Sequence, residues 1–359
     1  MSGAIVLSAG GTGGHLFPAE ALAGVLARRG RQVVVMTDAR FANYATRFPG
    51  ARIESVPSSP LGSLLAPLRI AAGIVSAFAK LRRIKPGAVI GFGGYPSVPV
   101  MLAAQLARLP TAIIEQNAVV GRANRLVMNR VRAVAAAFPI ARFAPTDLSK
   151  IVLTGNPLRP EVEALWGAPY QVPAATGPIR LLVFGGSQGA RALSEIVPAA
   201  LTRLPHELKM RLTLVQQCRP EDIESARQIY ANAEIRAELA PFFADLPRSM
   251  AESHLVIARA GAGTVAELMA IGRPAILVPL PGALDDNQTP NGEILARAGA
   301  GWCVAQKNLN GESLARMLND IFADPLALAR RAAAAHRLAT PQAAENLADL
   351  VERLAAGAV

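Results

Sequence analysis

The stretch from Ile5 to His15 constrains the fold most, because a short apolar run leads directly into four glycines and a histidine. The apolar run is typical of a buried parallel strand, and the residues from about 16 to 29 predict a helix. Glycines without side chains leave main-chain N–H groups open to a negative group, and the helix N-terminus adds a favourable dipole. The same arrangement returns at 180–189, about half the chain later. Two such openings predict two similar domains.

The fold class follows from this repeat and from the chain length. A chain of 359 residues is long enough for two domains with separate cores. Alternating strands and helices predict α/β domains, each a Rossmann-like, doubly wound parallel sheet, which face each other across a cleft. The glycine and prolines of Gly155–Pro160 indicate a hinge. We therefore expect an N-terminal domain over 1–157 and a C-terminal domain over 158–338; the last helix, about 339–359, could pack back on the first domain, which the sequence does not decide.

The expected elements can be given by number. Strands are predicted at 5–9, 32–36, 52–57, 88–90, 111–115, 133–137, 151–154, 179–184, 211–216, 234–237, 255–258, 275–279 and 301–304. Helices are predicted at 16–29 and 121–131, one or two helices are predicted within 61–84, and the alanine-rich end from 325 to 357 is also expected to be helical.

The positive charge of the chain is unevenly placed. The net charge is +11, and the stretch from Ser55 to Thr146 holds eleven Lys and Arg residues but Glu115 as its single acid. Such a patch favours a polyanionic partner, either nucleic acid or an anionic membrane leaflet. Nucleic acid is disfavoured because aromatic content is only 5% and the aromatics are not interleaved with the basic residues.

The 64–85 region is the candidate membrane contact. It combines an apolar face with the basic residues Lys80, Arg82, Arg83 and Lys85. A core-facing helix with a solvated end and a helix lying in a membrane interface both fit this pattern, and both can hold at once. We expect no signal peptide and no transmembrane helix. The two isolated cysteines indicate a reducing compartment and no structural metal.

His15 is the candidate general base. It closes the first glycine turn, and a helix N-terminus disfavours the imidazolium form, so the ring stays able to accept a proton near neutral pH. The alternative is a histidine that only hydrogen-bonds the turn. A second glycine turn at Gly91–Tyr95 and the polar run Glu115–Asn117 follow other predicted strands. In open α/β sheets such strand ends meet in one ligand-binding crevice.

The second half carries a pattern that fits a nucleoside diphosphate. In the turn Gly261–Glu267, main-chain amides and Thr264 would hold phosphate, while Glu267, one helical turn further, would accept hydrogen bonds from a ribose diol. The alternative is a plain helix start with a surface glutamate. The loop around Phe243 could frame a flat base or simply supply core phenylalanines. No Asp-x-Asp motif occurs to bridge a metal to the diphosphate. The negative charge of the departing diphosphate would therefore be balanced by helix N-termini and by Arg159 or Arg259.

Taken in order, these motifs resemble a known family. They are Gly10–His15 with Phe17-Pro18, Gly91–Tyr95, Glu115–Asn117, Gly155–Arg159, Gly185–Arg191 and Gly261–Glu267. The combination resembles the bacterial glycosyltransferases that add N-acetylglucosamine to undecaprenyl-pyrophosphoryl-muramoylpentapeptide (lipid I), giving lipid II in the last cytoplasmic step of peptidoglycan precursor synthesis. The resemblance covers essentially the whole chain.

The resemblance implies an inverting enzyme of the GT-B fold with UDP-N-acetylglucosamine held mainly by the C-terminal domain. Donor-side residues would be Thr12, Gly13, Gly14, Asn117, Arg159, Ser187, Gln188, Phe243, Arg259, Ala262, Gly263, Thr264, Val265, Glu267 and Gln288. Acceptor-side residues would be Tyr95, Glu115 and Asn124. Our own hypothesis is that His15 is the base, with a neighbouring carboxylate such as Glu115 as its substitute.

The implied setting is the cytoplasmic face of the bacterial inner membrane, with a peripheral protein whose N-terminal domain binds the acceptor and the leaflet. No cofactor and no obligatory metal are implied. The alternatives are another sugar-nucleotide enzyme of the same fold, either a glycolipid-forming transferase or a UDP-N-acetylglucosamine 2-epimerase.

Overall fold

The computed structural model describes residues 3–10, 13–39, 46–59 and 66–359, without the side chains of residues 66 and 186–190. The chain divides into two compact units. Unit 1 comprises Met1–Pro160 together with Thr340–Val359, and unit 2 comprises Glu161–Ala339. Each unit is described by itself below.

The strands are β1 (Ile5–Ser8), β2 (Val33–Thr37), β3 (Arg52–Ser55), β4 (Ala88–Gly91), β5 (Thr111–Glu115), β6 (Ala133–Ala136), β7 (Ile151–Leu153), β8 (Ile179–Phe184), β9 (Leu212–Gln217), β10 (Arg236–Ala240), β11 (Leu255–Ala258), β12 (Ala275–Leu277) and β13 (Gly301–Cys303). The helices are α1 (Gly13–Arg28), α2 (Ala66–Ile84), α3 (Ser97–Leu106), α4 (Arg122–Val127), α5 (Pro160–Glu163), α6 (Gly186–Leu201), α7 (His206–Arg211), α8 (Pro220–Asn232), α9 (Leu246–Glu252), α10 (Ala262–Ile271), α11 (Gln288–Arg297), α12 (Gly311–Ala323), α13 (Pro325–Arg337) and α14 (Ala343–Ala355).

Unit 1 is built on a parallel sheet in the order β3-β2-β1-β4-β5-β6-β7. Apolar side chains of α1 and α14 cover one face, and those of α2 and α3 cover the other. Strands buried on both faces explain why β1, β2 and β5 read as continuous apolar runs. The chain runs outward from β1 in one direction and then, from β4, in the other, so β1 and β4 flank a topological switch point.

Helix α14 completes the core of unit 1, although it follows unit 2 in the sequence. Leu347, Leu350 and Leu354 are buried beside α1. On the surface, Arg29 of α1 pairs with Glu345, Asp349 and Glu352 of α14. The ion pairs are partly exposed, so the apolar contacts supply most of the stabilisation.

Unit 2 repeats the arrangement in the order β10-β9-β8-β11-β12-β13, again with parallel neighbours. Here β8 and β11 flank the switch point, and helices α6 and α10 follow these two strands. The prediction of two Rossmann-like parallel-sheet domains is therefore confirmed. Among the described helices, none is both long enough and apolar enough to span a lipid bilayer.

Several predicted boundaries were wrong, and three of them have a local explanation. Helix α1 begins at Gly13 rather than near residue 16, so His15 lies in its first turn. The helix predicted at 121–131 is shorter, because α4 ends at Val127 and a 3₁₀ turn follows at Met128–Arg130. Strand β10 starts after a turn in which Glu234 adopts φ 58°, which delays the strand to Arg236. Of the one or two helices predicted within 61–84, residues 61–65 lie outside the described part.

Candidate functional site

The candidate site of unit 1 lies at the carboxyl ends of β1 and β4. The Phe92 N–H donates to the Ser8 carbonyl at 2.9 Å, which joins the two strand ends. The loop after β4 then turns through Gly93 (φ 83°) and Gly94 (φ 71°), which are left-handed conformations that favour glycine. A Cβ on Gly94 would come within 2.8 Å of the Gly10 carbonyl, so the loop approaches the first glycine turn closely.

The imidazole of His15 packs against this glycine loop. A Cβ on Gly93 would meet His15 Nε2 at 3.3 Å and Asn124 Nδ2 at 3.6 Å, so Gly93 lies between these two side chains. His15 is half-buried, and burial lowers its pKa from 6.5 to about 4. The position in the first turn of α1 acts in the same direction, because the helix dipole disfavours a cation there. The ring is therefore neutral at physiological pH.

Glu115 ends β5 and is almost fully buried. Its Oε1 accepts from the main chain and the amide of Asn117 at 3.0 and 3.3 Å. Its Oε2 accepts from the Gly121 N–H at 2.8 Å and from Asn124 Nδ2 at 2.9 Å. Burial raises the pKa of this carboxyl, while the four hydrogen bonds oppose the rise. Glu115 thereby fixes Asn117 and Asn124, two of the predicted site residues.

Two other predicted residues of unit 1 have partners that sequence reasoning missed. The Tyr95 hydroxyl donates to Asp38 Oδ2 at 2.9 Å, and Asp38 is itself buried. The guanidinium carbon of Arg159 lies 5.1 Å from the centre of the Phe17 ring, in cation–π geometry. Thr12 lies outside the described residues, as do the side chains of Ser187 and Gln188 in unit 2.

The candidate site of unit 2 is the N-terminus of α10, directly after β11. Gly261 caps this helix without a side-chain hydrogen bond. The first main-chain hydrogen bond of the helix runs from Val265 N to the Gly261 carbonyl. The N–H groups of Ala262, Gly263 and Thr264 precede this bond, in the part of a helix where N–H groups have no intrahelical acceptor. Gly263 is exposed, and a Cβ there would meet nothing within 4 Å. The turn can therefore accept an anion at close range.

Glu267 lies one turn further along α10 and is half-buried. It shares a helix face with Gly263, as the spacing of four residues requires. The turn is supported from α11, where the buried Asn291 donates through Nδ2 to the Ala260 carbonyl at 3.2 Å. The acid and the open turn are thus held by one rigid element.

Arg259, which precedes this turn, donates to acceptors within the protein. Its side chain is buried, and its Nη1 donates to the carbonyls of Val278 and Pro279 at 3.2 and 3.3 Å. Its Nη2 donates to Gln306 Oε1 at 2.7 Å. With these donors engaged by protein acceptors, Arg259 ties β11 to the end of β12 in this structure. Burial lowers the pKa of this guanidinium.

Gln288 and Phe243 follow two other strands of the same sheet. Gln288 begins α11, and its Oε1 accepts from the Leu280 N–H at 3.0 Å, while its Nε2 carries two further donors. Phe243 follows β10 and is half-buried, whereas Phe242 is exposed. Among the described residues, no hydrogen bond to the Phe243 main chain is present. Nowhere in the described part do three or more His, Cys, Asp or Glu side chains converge as a metal site.

Comparison with known proteins identifies the family. The description "Glycosyltransferase family 28 N-terminal domain" matches residues 5–136, and "Glycosyltransferase family 28 C-terminal domain" matches residues 180–353. The chain belongs to glycosyltransferase family 28. The two matched segments include the glycine turns of both units, and the fold is GT-B, as the resemblance implied.

Members of family 28 with assigned names are similar over almost the whole chain. A protein of Phenylobacterium zucineum is 48% identical, covering 98% of both chains, and one of Paramagnetospirillum magneticum is 50% identical, covering 97% of this chain and 95% of its own. Both are named UDP-N-acetylglucosamine–N-acetylmuramyl-(pentapeptide) pyrophosphoryl-undecaprenol N-acetylglucosamine transferase.

Solved structures agree with the family assignment. MurG of Acinetobacter baumannii is 32% identical with a TM-score of 0.81, covering 98% of this chain and 99% of its own. A putative UDP-N-acetylglucosamine 2-epimerase from Listeria monocytogenes has a TM-score of 0.69 at 15% identity, with 100% and 98% coverage. That second likeness shows a shared fold alone.

Proposed function

We propose that this family 28 chain transfers N-acetylglucosamine from UDP-N-acetylglucosamine to the muramoyl 4-hydroxyl of undecaprenyl-pyrophosphoryl-MurNAc-pentapeptide, converting lipid I to lipid II. The observation that carries the proposal is the 48–50% identity, over nearly the full length, to relatives named for this transfer. The geometry of the two candidate sites supports it, since one suits a nucleoside diphosphate and the other offers a neutral base.

On the donor side, the N–H groups at the start of α10 bind the diphosphate, and Glu267 accepts the ribose hydroxyls. The main chain of Phe243 meets the uracil, and Gln288 donates to the sugar. Thr12, Gly13, Gly14, Asn117, Arg159, Ser187 and Gln188 complete the donor contacts. Arg259 contributes positive charge at the diphosphate, while its donors are engaged by carbonyls and by Gln306.

The reaction is a single displacement with inversion. The muramoyl 4-oxygen attacks the anomeric carbon, a new C–O bond forms, and the bond from that carbon to the UDP oxygen breaks with its electron pair leaving on UDP. His15 takes the proton from the attacking hydroxyl. The charge on the departing diphosphate is balanced by helix N-termini and Arg159, without an obligatory metal.

His15 is a better base than Glu115. Both carboxylate oxygens of Glu115 already accept hydrogen bonds, four in all, from Asn117, Gly121 and Asn124. Taking up a proton would disrupt this set. Burial keeps the His15 imidazole neutral, which is the form that can take up a proton, so we assign His15 as the base and Glu115 to positioning, with Asn124 and Tyr95 on the acceptor side.

The direct test is incubation of the purified chain with UDP-N-acetylglucosamine and a short-chain lipid I analogue, with the disaccharide product and UDP quantified together. Equal yields of the two products support transfer. Formation of UDP-N-acetylmannosamine without any acceptor would instead indicate the 2-epimerase alternative. UDP release without a disaccharide would contradict the acceptor assignment.

Replacing Glu267 by alanine is expected to raise the donor KM by about 10- to 100-fold with little change in kcat. The expected range corresponds to the loss of one charge-assisted hydrogen bond to the ribose, worth about 1.5–3 kcal/mol. Steady-state kinetics at saturating acceptor measure this. Glu312→Ala, which removes an exposed glutamate of α12, is the matched control; an unchanged donor KM in Glu267→Ala would exclude Glu267 from the ribose site.

We further propose that α2 and the residues after it hold the protein on the cytoplasmic face of the inner membrane as a peripheral protein. The described part of the 64–85 region exposes Leu68 and Val75 by 71% and 70%. Arg69, Arg82 and Lys85 are exposed near this apolar surface. Arg83 and Lys80 both pair with Glu54, so part of their charge is neutralised.

Reversing Arg69, Arg82 and Lys85 to glutamate together is expected to weaken binding to anionic vesicles by about 100-fold or more. Each basic residue near an anionic surface contributes about 1 kcal/mol. Co-sedimentation with phosphatidylglycerol vesicles measures the change. Reversal of Arg227, Arg316 and Arg330 in unit 2 alters net charge equally and is the control. Equal losses in both triple variants would show a general charge effect and contradict the proposed surface.

A further inference from the structure

Residues 139–146 form a loop that is anchored at both ends. At its start, Ala141 N donates to the Ala118 carbonyl at 2.7 Å and Val120 N to the Arg142 carbonyl at 3.2 Å. At its end, Thr146 N donates to Asn129 Oδ1 at 3.1 Å. The loop is therefore held in one conformation by contacts beyond its own sequence.

The anchoring joins this loop to the candidate site of unit 1. The segment 117–121, which binds the start of the loop, also donates to the Glu115 carboxylate through Asn117 and Gly121. Through this segment the loop is connected to the predicted acceptor-side residue Glu115. The proposed transfer reaction assigns no role to this loop.

At the middle of the loop, Phe143 is both strained and exposed. Its φ is 60°, a left-handed conformation that is a genuine outlier for an aromatic residue and costs about 1–3 kcal/mol. Its side chain is nevertheless 45% exposed, so burial of the ring does not explain the conformation. Strain of this kind persists where surrounding structure enforces it, and it clusters at functional sites.

The surroundings of Phe143 are strongly basic. The guanidinium carbon of Arg125 lies 4.1 Å from the centre of the Phe143 ring. Arg122 lies three residues earlier on α4, on the same side of the helix, and is exposed, as is Arg142. From residue 116 to 146 the sequence holds five arginines and no acidic residue. The arginines of this surface suit a ligand that carries carboxylates, and the ring of Phe143 suits a short apolar or peptide segment of the same ligand.

We propose that Phe143, Arg122, Arg125 and Arg142 bind the peptide moiety of the acceptor. The inference rests on the proposed function, in which the acceptor carries a pentapeptide that ends in a carboxylate. Arginines pair with carboxylates, and a rigid aromatic provides a flat contact for peptide groups at little cost in entropy. A loop fixed to the Glu115 segment suits a group attached to the reacting sugar better than it suits a lipid surface.

The test compares two soluble acceptors that share one short-chain pyrophosphate lipid, one with the pentapeptide and one without it. The variant is Phe143→Gly, which removes the ring while glycine tolerates the left-handed backbone, so the fold is preserved. We expect the KM for the peptide-bearing acceptor to rise about 10-fold, with the KM for the peptide-free acceptor and for the donor unchanged. Arg122→Gln is expected to act in the same direction.

Three outcomes would overturn the proposal. They are an unchanged acceptor KM, an equal rise for both acceptors, and a loss of vesicle binding with unchanged soluble kinetics, the last of which would assign the surface to lipid. Failure of the proposed function is distinguishable, because the unaltered protein would then transfer no sugar to either acceptor. Leu148→Gly, which removes another exposed side chain after the loop, is the control.

Discussion

Replacing His15 by alanine is expected to lower kcat by about 10²- to 10⁴-fold while leaving the KM for both substrates within a few-fold. The effect falls on kcat because a general base acts on the proton only as the transition state forms. The measurement is steady-state kinetics with the short-chain acceptor at saturating donor, supported by direct acceptor binding to the variant. His206→Ala, which removes an exposed histidine of α7, is the control and is expected to behave as the unaltered enzyme.

The pH dependence gives this prediction a second readout. Burial lowers the pKa of His15 from 6.5 to about 4, so the ring is neutral, and competent as a base, at every pH well above 4. We therefore expect the acidic limb of the kcat/KM profile to lie near pH 4–5 rather than near 6.5. An acidic limb near 6.5 that disappears in His15→Ala would show that the ring is more solvated than the structure indicates.

Stability must be followed in the same experiment. In the unfolded state His15 has a pKa near 6.5, whereas in the folded state its pKa is about 4. Between these two pH values the unfolded state therefore binds a proton that the folded state does not bind. The contribution of His15 to stability is therefore fully present above about pH 6.5 and is lost as the pH falls toward 4. His254 shares this behaviour, since burial also lowers its pKa to about 4. Circular dichroism at each pH separates loss of catalysis from loss of fold.

Near-normal turnover in His15→Ala, with acceptor binding intact, would remove His15 from the mechanism. Glu115 would then be the remaining candidate, and Glu115→Gln would have to lose activity without disturbing its neighbours. The structure makes that second result hard to obtain, because the carboxylate accepts from Asn117, Gly121 and Asn124 at once.

Much of the fold could be predicted from the sequence, for a physical reason. Parallel strands buried on both faces are short unbroken apolar runs, so β5, β8 and β11 are found at the predicted bounds. The start of α1 could not be predicted, because glycine has poor helix propensity, yet the helix begins at Gly13.

The site was predictable by residue type but not by contact. The motifs suggested His15 and Glu115, and the family resemblance implied Asn124, whereas the proximity of His15 and Asn124 to Gly93 depends on packing between residues far apart in sequence. Arg259 shows the same limit, since its partner Gln306 lies 47 residues away. A sequence pattern indicates which chemistry a residue type can perform, whereas its contacts in the folded protein depend on packing between residues that are distant in sequence.

Arg273 is the clearest case, and nothing in the sequence singles it out. It follows Gly272 and precedes Pro274, a pattern typical of an exposed turn, yet it is only 1% exposed. Its guanidinium donates to five carbonyls, those of Ala168, Pro169, Ala251, Ile271 and Gly272. It also lies 5.6 Å from the Tyr170 ring centre. A single side chain thus fixes the segment that enters unit 2 against α9 and α10.

Replacing Arg273 by alanine is expected to destabilise unit 2 by about 3–5 kcal/mol, a large part of the stability of a typical domain. The substitution leaves several buried carbonyls without a hydrogen-bond donor, and each of them costs about 1–3 kcal/mol where water cannot reach it. It also leaves a cavity. Arg273→Lys keeps the charge but supplies only three donors without the planar geometry, so we expect an intermediate loss of about 1–3 kcal/mol.

Tryptophan fluorescence during urea unfolding measures the change selectively, because the two tryptophans of the chain, Trp166 and Trp302, both belong to unit 2. Arg297→Ala, which removes an exposed arginine paired with Glu293, is the matched control and should shift stability by no more than about 0.5 kcal/mol. If Arg273→Ala unfolds at the same urea concentration as Arg297→Ala, water replaces the guanidinium at the five carbonyls, and the entry segment is held by Tyr170 and its neighbours instead.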